Sequence, residues 1–228
     1  MSMVHDEQPK YLLAPKVSAL LHYIPNLRRK MLLATLWNTG ARINEALALT
    51  WGDFSLAPSY PFAQLVTLKQ RTEKAARTAG RTPAGQQTHR LVPLFDSWYV
   101  SQLQMMVATL KIPMERRNKR TGRTEKARIW EVTDRTVRSW IGEAVAAAAA
   151  DGVTFSVPVT PHTFRHSYAM HMLYAGIPLK VLQSLMGHKS ISSTEVYTKV
   201  FALDVAARHR VQFSMPESDA VAMLKQLS

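Results

Sequence analysis

Three segments place polar side chains with chemical capability inside runs that are otherwise apolar and helical: TGARINEALAL, TPHTFRHSYAMHMLYAGIP and SLMGHKSISSTEVYTK. Among the groups they supply are the arginines Arg42 and Arg165, the imidazoles of His162 and His188, the carboxylate of Glu45 and the phenol of Tyr197. Arginines offer planar, permanently charged donors that hold the oxygens of a phosphate better than lysine does. Imidazoles move protons near neutral pH. A phenol, with an ordinary pKa near ~10, becomes a nucleophile once a base or a positive field helps remove its proton. The chain contains no cysteine, which excludes thiolate nucleophiles, disulfides and cysteine zinc sites. Taken singly, each residue has a plainer explanation. Arg42 and Glu45, three apart, form an ordinary helical ion pair. His162 and Arg165 fit a capping or solvated pair, His188 a cation at a helix end, and Tyr197 a half-buried packing residue.

The elements that must position these residues can be read from periodicity and punctuation. Met31, Leu32, Leu36 and Trp37 recur at helical spacing from Leu27 to Asn38, and Gly40 stops that helix before a second one, RINEALAL. Residues 64–68 (QLVTL) and 89–94 (HRLVPL) predict two strands joined by a long polar span, a hairpin with a small antiparallel sheet. Tyr99, Leu103, Met106 and Leu110 mark one helical face over 97–110, and Val137, Trp140, Ile141, Ala144, Val145 and Ala148 another that ends near Gly152. Thr160 and Pro161 predict a helix start, Gly176 its end, and Pro178 to Gly187 a further helix. The fold class expected is mainly α with a small antiparallel sheet (α+β), in one domain spanning 1–228 with no dividing linker.

Bulk properties narrow the partner. Lys and Arg outnumber Asp and Glu 29 to 16, a net charge of +13, which suits a polyanion. Residues 111–138 concentrate the excess, with Arg116, Arg117, Lys119, Arg120 and Arg123 at its centre, and predict a phosphate-facing loop. No run approaches the roughly 18 apolar residues of a membrane helix, and the N-terminus lacks the order of a signal peptide. A cytoplasmic protein is expected, with no membrane partner.

Together, the residues and their spacing resemble the tyrosine recombinase, or phage integrase, family. Its pattern of T-G-x-R-x-x-E, a hairpin lysine, H-x-x-R, G-H, and a tyrosine nine residues after that histidine is met at Thr39, Gly40, Arg42 and Glu45, at His162 and Arg165, at Gly187 and His188, and at Tyr197. The match runs over about residues 10–205 and includes the Thr-Pro before His162 and the Arg165-His166 pair. The resemblance implies the DNA breaking-rejoining catalytic fold and a site-specific recombinase acting in integration, excision, inversion or multimer resolution. Tyr197 would attack the scissile phosphate and form a 3′-phosphotyrosine. Arg42 and Arg165 would hold its oxygens, His188 would add a hydrogen bond, and His162 would assist proton transfer at the tyrosine. Lys69, or alternatively Lys74, would protonate the leaving 5′ oxygen, and Glu45 would orient an arginine.

The covalent bond conserves the energy of the broken phosphodiester, so neither ATP nor a metal is expected, and no cofactor. The partners implied are double-stranded DNA and further copies of the chain in a tetramer on paired sites. Residues 217–228, within the tail 206–228, would dock in trans. The family's usual DNA-clamping domain would be missing before Thr39, as in a fragment or a short member resembling the inverting recombinases of fimbrial switches, and an accessory DNA-binding protein could then assist. Nucleoid association and a bacterial, plasmid or phage origin would follow. The rival reading is a non-catalytic helix-turn-helix regulator built on HTFRHSYAMHMLYAGIPLKVLQSLMGH.

Overall fold

The computed structural model describes residues 10–57, 59–67 and 88–209. Lys69, Lys74 and the segment 217–228 lie outside the described residues. Helices α1 (Ala14–His22), α2 (Leu27–Thr39), α3 (Ile43–Leu47), α4 (Ser97–Thr109), α5 (Asp134–Ala150), α6 (Pro161–Tyr174), α7 (Leu179–Met186) and α8 (Ser192–His209) make up most of it. Strands β1 (Phe54–Ser55), β2 (Phe62–Thr67) and β3 (Thr88–Pro93) form an antiparallel sheet in that order, and β4 (Glu115–Arg117) pairs with β5 (Thr124–Lys126) in a separate hairpin. The mainly helical fold with small antiparallel sheets is the one expected.

Local chemistry sets most boundaries. The Asn26 side chain accepts from the Arg29 amide at the start of α2, Asp96 caps α4, Thr133 caps α5, and Thr160 caps α6 with Pro161 in its first turn. Helices α2 and α7 both end on a left-handed glycine, Gly40 at φ 59° and Gly187 at φ 62°. At Gly40 a side chain is doubly excluded, because a Cβ there would lie 2.3 Å from the Tyr168 ring.

The core is organised about α2 and α6, which pack together with α4 against α2. Met31, Leu32, Leu33 and Leu36 are fully buried, as are Phe164, Ala169 and Met170 on α6, each worth roughly 1.5–3 kcal/mol of burial for the larger side chains. The threonines of α2 inside this layer are satisfied locally: the Thr35 hydroxyl donates to Met31 O (2.7 Å) and that of Thr39 to Thr35 O (2.6 Å). Ten of the fourteen positions of α6 are buried, so this helix is mainly a packing element of the core.

Residues 111–138 depart from a simple loop. They form the β4–β5 hairpin and the first turns of α5, and the hairpin's base is tied to the chain after α3 through Ile129 N to Leu49 O (3.0 Å) and a bridge between Thr50 and Arg128. Among the described residues no helix is long and apolar enough to cross a membrane.

Candidate active site

The turn from α2 into α3 delivers Arg42. It precedes the first residue of α3, where the Glu45 side chain reaches back to cap it: Glu45 Oε2 accepts from the Arg42 amide and Oε1 from Arg42 Nη1, both at 2.9 Å. The Glu45 carboxylate is completely buried, whereas Arg42 keeps 36% of its side chain exposed. A second cation, Arg90 of β3, reaches Glu45 Oε2 through Nη2 at 2.6 Å. Burial alone pushes the Glu45 carboxyl up, but the hydrogen bonds and charges of Arg90 and Arg42 outweigh it and hold it below the usual carboxylate range.

One turn into α6, Arg165 is almost wholly buried. Its Nη1 donates to Gly40 O at the α2–α3 turn, and its Nη2 donates to Met186 O at the end of α7 (2.6 Å). These acceptors are carbonyls, so its charge stays uncompensated by a carboxylate of its own. Burial, then the charge of Arg42, lowers the guanidinium to about 10, which leaves it charged at neutral pH. His188 follows Gly187. Its Nδ1 is 2.9 Å from Thr194 Oγ1, and its carbonyl accepts from Gln183 Nε2 at 3.2 Å. Burial first, then Arg165, Arg42 and Arg90, push its ring down to about 4.

Tyr197, on α8, is 2% exposed, and its hydroxyl lies 2.8 Å from His166 Nδ1. Burial raises the phenol, partly offset by the charges of Arg165 and Arg42. His166 is lowered to about 4 by burial, then by His162 and Arg165, so at neutral pH it is uncharged and one ring nitrogen can accept. His162 stands exposed one turn earlier on α6, its ring centroid 6.4 Å from that of His166. A cavity of about 250 Å³ opens beside this group, lined by Arg42, Thr67, Gly187, His188, Lys189 and serines 190 and 193, with no carboxylate among the described lining residues. Such a cationic recess suits a phosphate group.

Arg42, Arg165 and the pair His188 and Tyr197 thus come together from three segments far apart in the chain, with Glu45 beneath them. Profile matching extends this picture to the whole domain: residues 10–203 match the model of the phage integrase family. The chain belongs to that family. A resolvase of Escherichia coli is 93% identical over 228 residues, covering 100% of this chain and 85% of the relative. Among solved structures, the catalytic domain of bacteriophage HP1 integrase shares the fold at 19% identity and TM-score 0.54, covering 88% of this chain and 95% of that one. XerH site-specific recombinase, in a post-cleavage complex with a palindromic difH substrate, shares it at 18% identity and TM-score 0.63, covering 89% and 53%. Membership of the phage integrase family makes the chain an enzyme of site-specific recombination, the activity expected from the order of Arg42, His162, Arg165, His188 and Tyr197.

Two members of the constellation, Arg90 and His166, are given no role at the site from the sequence. Arg90 carries a signal in retrospect, since it occupies an inward position of β3 while Leu91 beside it is 56% exposed, the reverse of the usual alternation. His166 lies four residues after His162, on the same helical face, and it is His166 whose ring meets the tyrosine. In the basic hairpin, Arg116 is engaged by Glu125 (2.7 Å) and Glu131, while Lys119 and Arg120 at the tip are exposed.

Proposed function

We propose that the chain cuts and rejoins double-stranded DNA through a 3′-phosphotyrosine at Tyr197. The observation that carries this reading is the contact of the Tyr197 hydroxyl with a neutral imidazole, beside a recess where Arg42 and His188 meet and close to the buried charge of Arg165. A phosphodiester seated there has its non-bridging oxygens held by Arg42 and Arg165, with His188 donating a further hydrogen bond. The ring is buried in the free protein, so DNA engagement has to open the approach to its oxygen. As that oxygen bonds to phosphorus, its proton passes to His166, with His162 beside it at the solvent edge of α6. The bond from phosphorus to the 5′ oxygen breaks, and that oxygen takes a proton from Lys69. Rejoining runs the same steps backwards, with a 5′ hydroxyl attacking the phosphotyrosine and the phenol recovering its proton.

The XerH recombinase bound to its difH substrate and the Tn1549 transposon integrase bound to transposon right end DNA share this fold and support a DNA partner here. Arg117, Lys119, Arg120 and Arg123 on the hairpin supply phosphate contacts. Arg116 shapes the hairpin through its acidic partners. By family resemblance, four copies assemble on two duplexes with residues 217–228 docking in trans, aided by an accessory DNA-binding protein, in the cytoplasm. Removal of 217–228 should spare single-site binding and abolish the paired-site complex in a two-site gel shift.

The test of the central claim is a nicked duplex from which the cleaved strand's short 5′-hydroxyl fragment escapes, trapping the adduct. Wild-type protein should form a denaturant-resistant protein–DNA species, and Tyr197→Phe should bind the same DNA and form none. An adduct retained by Tyr197→Phe would move the nucleophile elsewhere.

A further inference from the structure

Arg90 is a buried cation that makes no contact with the proposed nucleophile, yet its guanidinium reaches three of the segments that form the site. It lies on β3 opposite Leu65 of β2, with 7% of its side chain exposed. Nη2 donates to Glu45 Oε2 at 2.6 Å, Nη1 to Thr67 Oγ1 at 3.2 Å, and Nε to Leu185 O at 2.9 Å. Glu45 belongs to the cap that fixes Arg42. Thr67 is the last residue of β2, two before Lys69. Leu185 is in the last turn of α7, immediately ahead of Gly187 and His188.

Only a guanidinium can do this from one position. Its donors point in several fixed in-plane directions from a rigid fork, whereas a lysine has three donors on a single atom at the end of a flexible stem. The carboxylate of Glu45 is divided between the two arginines, Oε1 to Arg42 and Oε2 to Arg90. Any displacement of Arg90 is therefore transmitted to the head group of Arg42. Gly187 is fitted to the same group, because a Cβ there would lie 2.9 Å from Arg90 Nη1. The glycine before His188 therefore gives α7 its left-handed stop and also leaves room for the arginine that fixes the stop in place.

We propose that Arg90 is a positioning residue for strand cleavage, setting the spacing between Arg42, the strand end that leads to Lys69, and His188 without itself touching DNA. This rests on the reading of Tyr197 as nucleophile and adds to it the group that holds the phosphate-binding residues in register. The buried charge is compensated where it acts: Glu45 faces Arg90 directly, and the pair sits on the protein side of the cationic recess. Misplacing a phosphate ligand by about 1 Å is enough to cost on the order of 100-fold in rate.

The test uses the full chain and two variants. Arg90→Lys keeps the charge and loses the fork. The double variant Arg90→Met with Glu45→Gln removes both buried charges together, so that neither is left unpaired, and is compared with Glu45→Gln alone. Single-turnover adduct formation on the nicked duplex, equilibrium DNA binding and the thermal midpoint are measured for each. Arg90→Lys is expected to cleave at least about 100-fold more slowly, with binding changed by less than about threefold and the midpoint retained. The double variant should show the same loss relative to its single-variant parent. A role in stability alone would lower the midpoint and leave the cleavage rate of folded protein intact. Cleavage within about threefold of the matched parent by either folded variant overturns the proposal, while wild-type protein still forming adducts would leave the Tyr197 reading standing. Absence of adducts in the wild type would instead remove the reading on which Arg90 depends.

Discussion

Replacing His166 with asparagine separates two things its ring does for Tyr197. Nδ1 lies 2.8 Å from the phenol oxygen, and asparagine carries a polar side-chain atom at about the same reach, so the hydroxyl keeps a partner but loses one able to hold a proton. The ring is depressed to about 4 by burial, then by His162 and Arg165, so it is uncharged at pH 7 and one of its nitrogens can accept. A positioned base contributes roughly 100- to 10,000-fold, or about 3 to 5 kcal/mol of barrier at ~1.4 kcal/mol per decade. Loss of the bond alone, leaving a buried hydroxyl unpaired, costs about 1–3 kcal/mol and falls on folding. His166→Asn should therefore unfold close to wild type yet cleave at least about 100-fold more slowly, whereas His166→Ala should lose on both counts. The assay is single-turnover adduct formation on two nicked duplexes, one normal and one with sulfur in place of the bridging 5′ oxygen. A thiolate leaves without a proton, so the sulfur substrate restores a variant that lacks the leaving-group acid and does nothing for one that lacks the base on the nucleophile. If the asparagine variant cleaves the normal duplex within about threefold of wild type, or is restored by sulfur, His166 is not the base.

Acid should destabilise the free protein in a defined window. His166 and His188 are both held near 4, below the ordinary histidine value of 6.5, so the unfolded chain binds more protons between those values. Stability is complete above about 6.5 and is lost as pH falls toward about 4, and His166→Asn should flatten that fall in a thermal-midpoint titration; an unchanged slope would place the effect elsewhere. Gly40→Ala forces a left-handed φ of 59° on alanine and drives its Cβ to 2.3 Å from Tyr168. Strain of about 1–2 kcal/mol and overpacking of about 1–3 kcal/mol should both appear in urea unfolding, and a loss under about 1 kcal/mol would refute the steric account. On the hairpin, neutralising Lys119, Arg120 and Arg123 should reduce the salt dependence of DNA binding by about 0.9 log units of slope per lost phosphate contact. Arg116→Gln, whose cation already faces Glu125 and Glu131, should leave that slope unchanged.

What could be read in advance was whatever is encoded over short spans. Asn26, Thr160, Gly40 and Gly187 act on backbone groups within four residues of themselves, so the bounds of α2, α6 and α7 follow from the sequence. Arg42 and Glu45 are likewise neighbours on one turn. The role of Arg90 is set by Glu45, 45 residues away, and by Leu185, 95 residues away; no local periodicity encodes either distance. His166 and Tyr197 are 31 residues apart on different helices, and the choice between His162 and His166 depends on how α6 is rotated against α8. The basic stretch 111–138 reads as a loop because cations dominate it, but two of its four acids, Glu125 and Glu131, clasp Arg116 and help fold it.

Arg165 has a consequence for the energetics of the protein as a whole. Its guanidinium is buried against two carbonyls, near Arg42 and Arg90, and among the described residues the carboxylate that acts on it is Glu45, which those two already share. An uncompensated internal cation opposes folding of the free chain, and a phosphate that enters beside it relieves the repulsion. By linkage, whatever anion fills the site then acts as a folding ligand, raising stability by RT ln(1 + [L]/Kd). On the proposed reading, the DNA-free enzyme is thus kept less stable by the charge that would hold the scissile phosphate. Substitutions selected for stability alone would tend to erode that charge first, and with it the enzyme's affinity for the transition state.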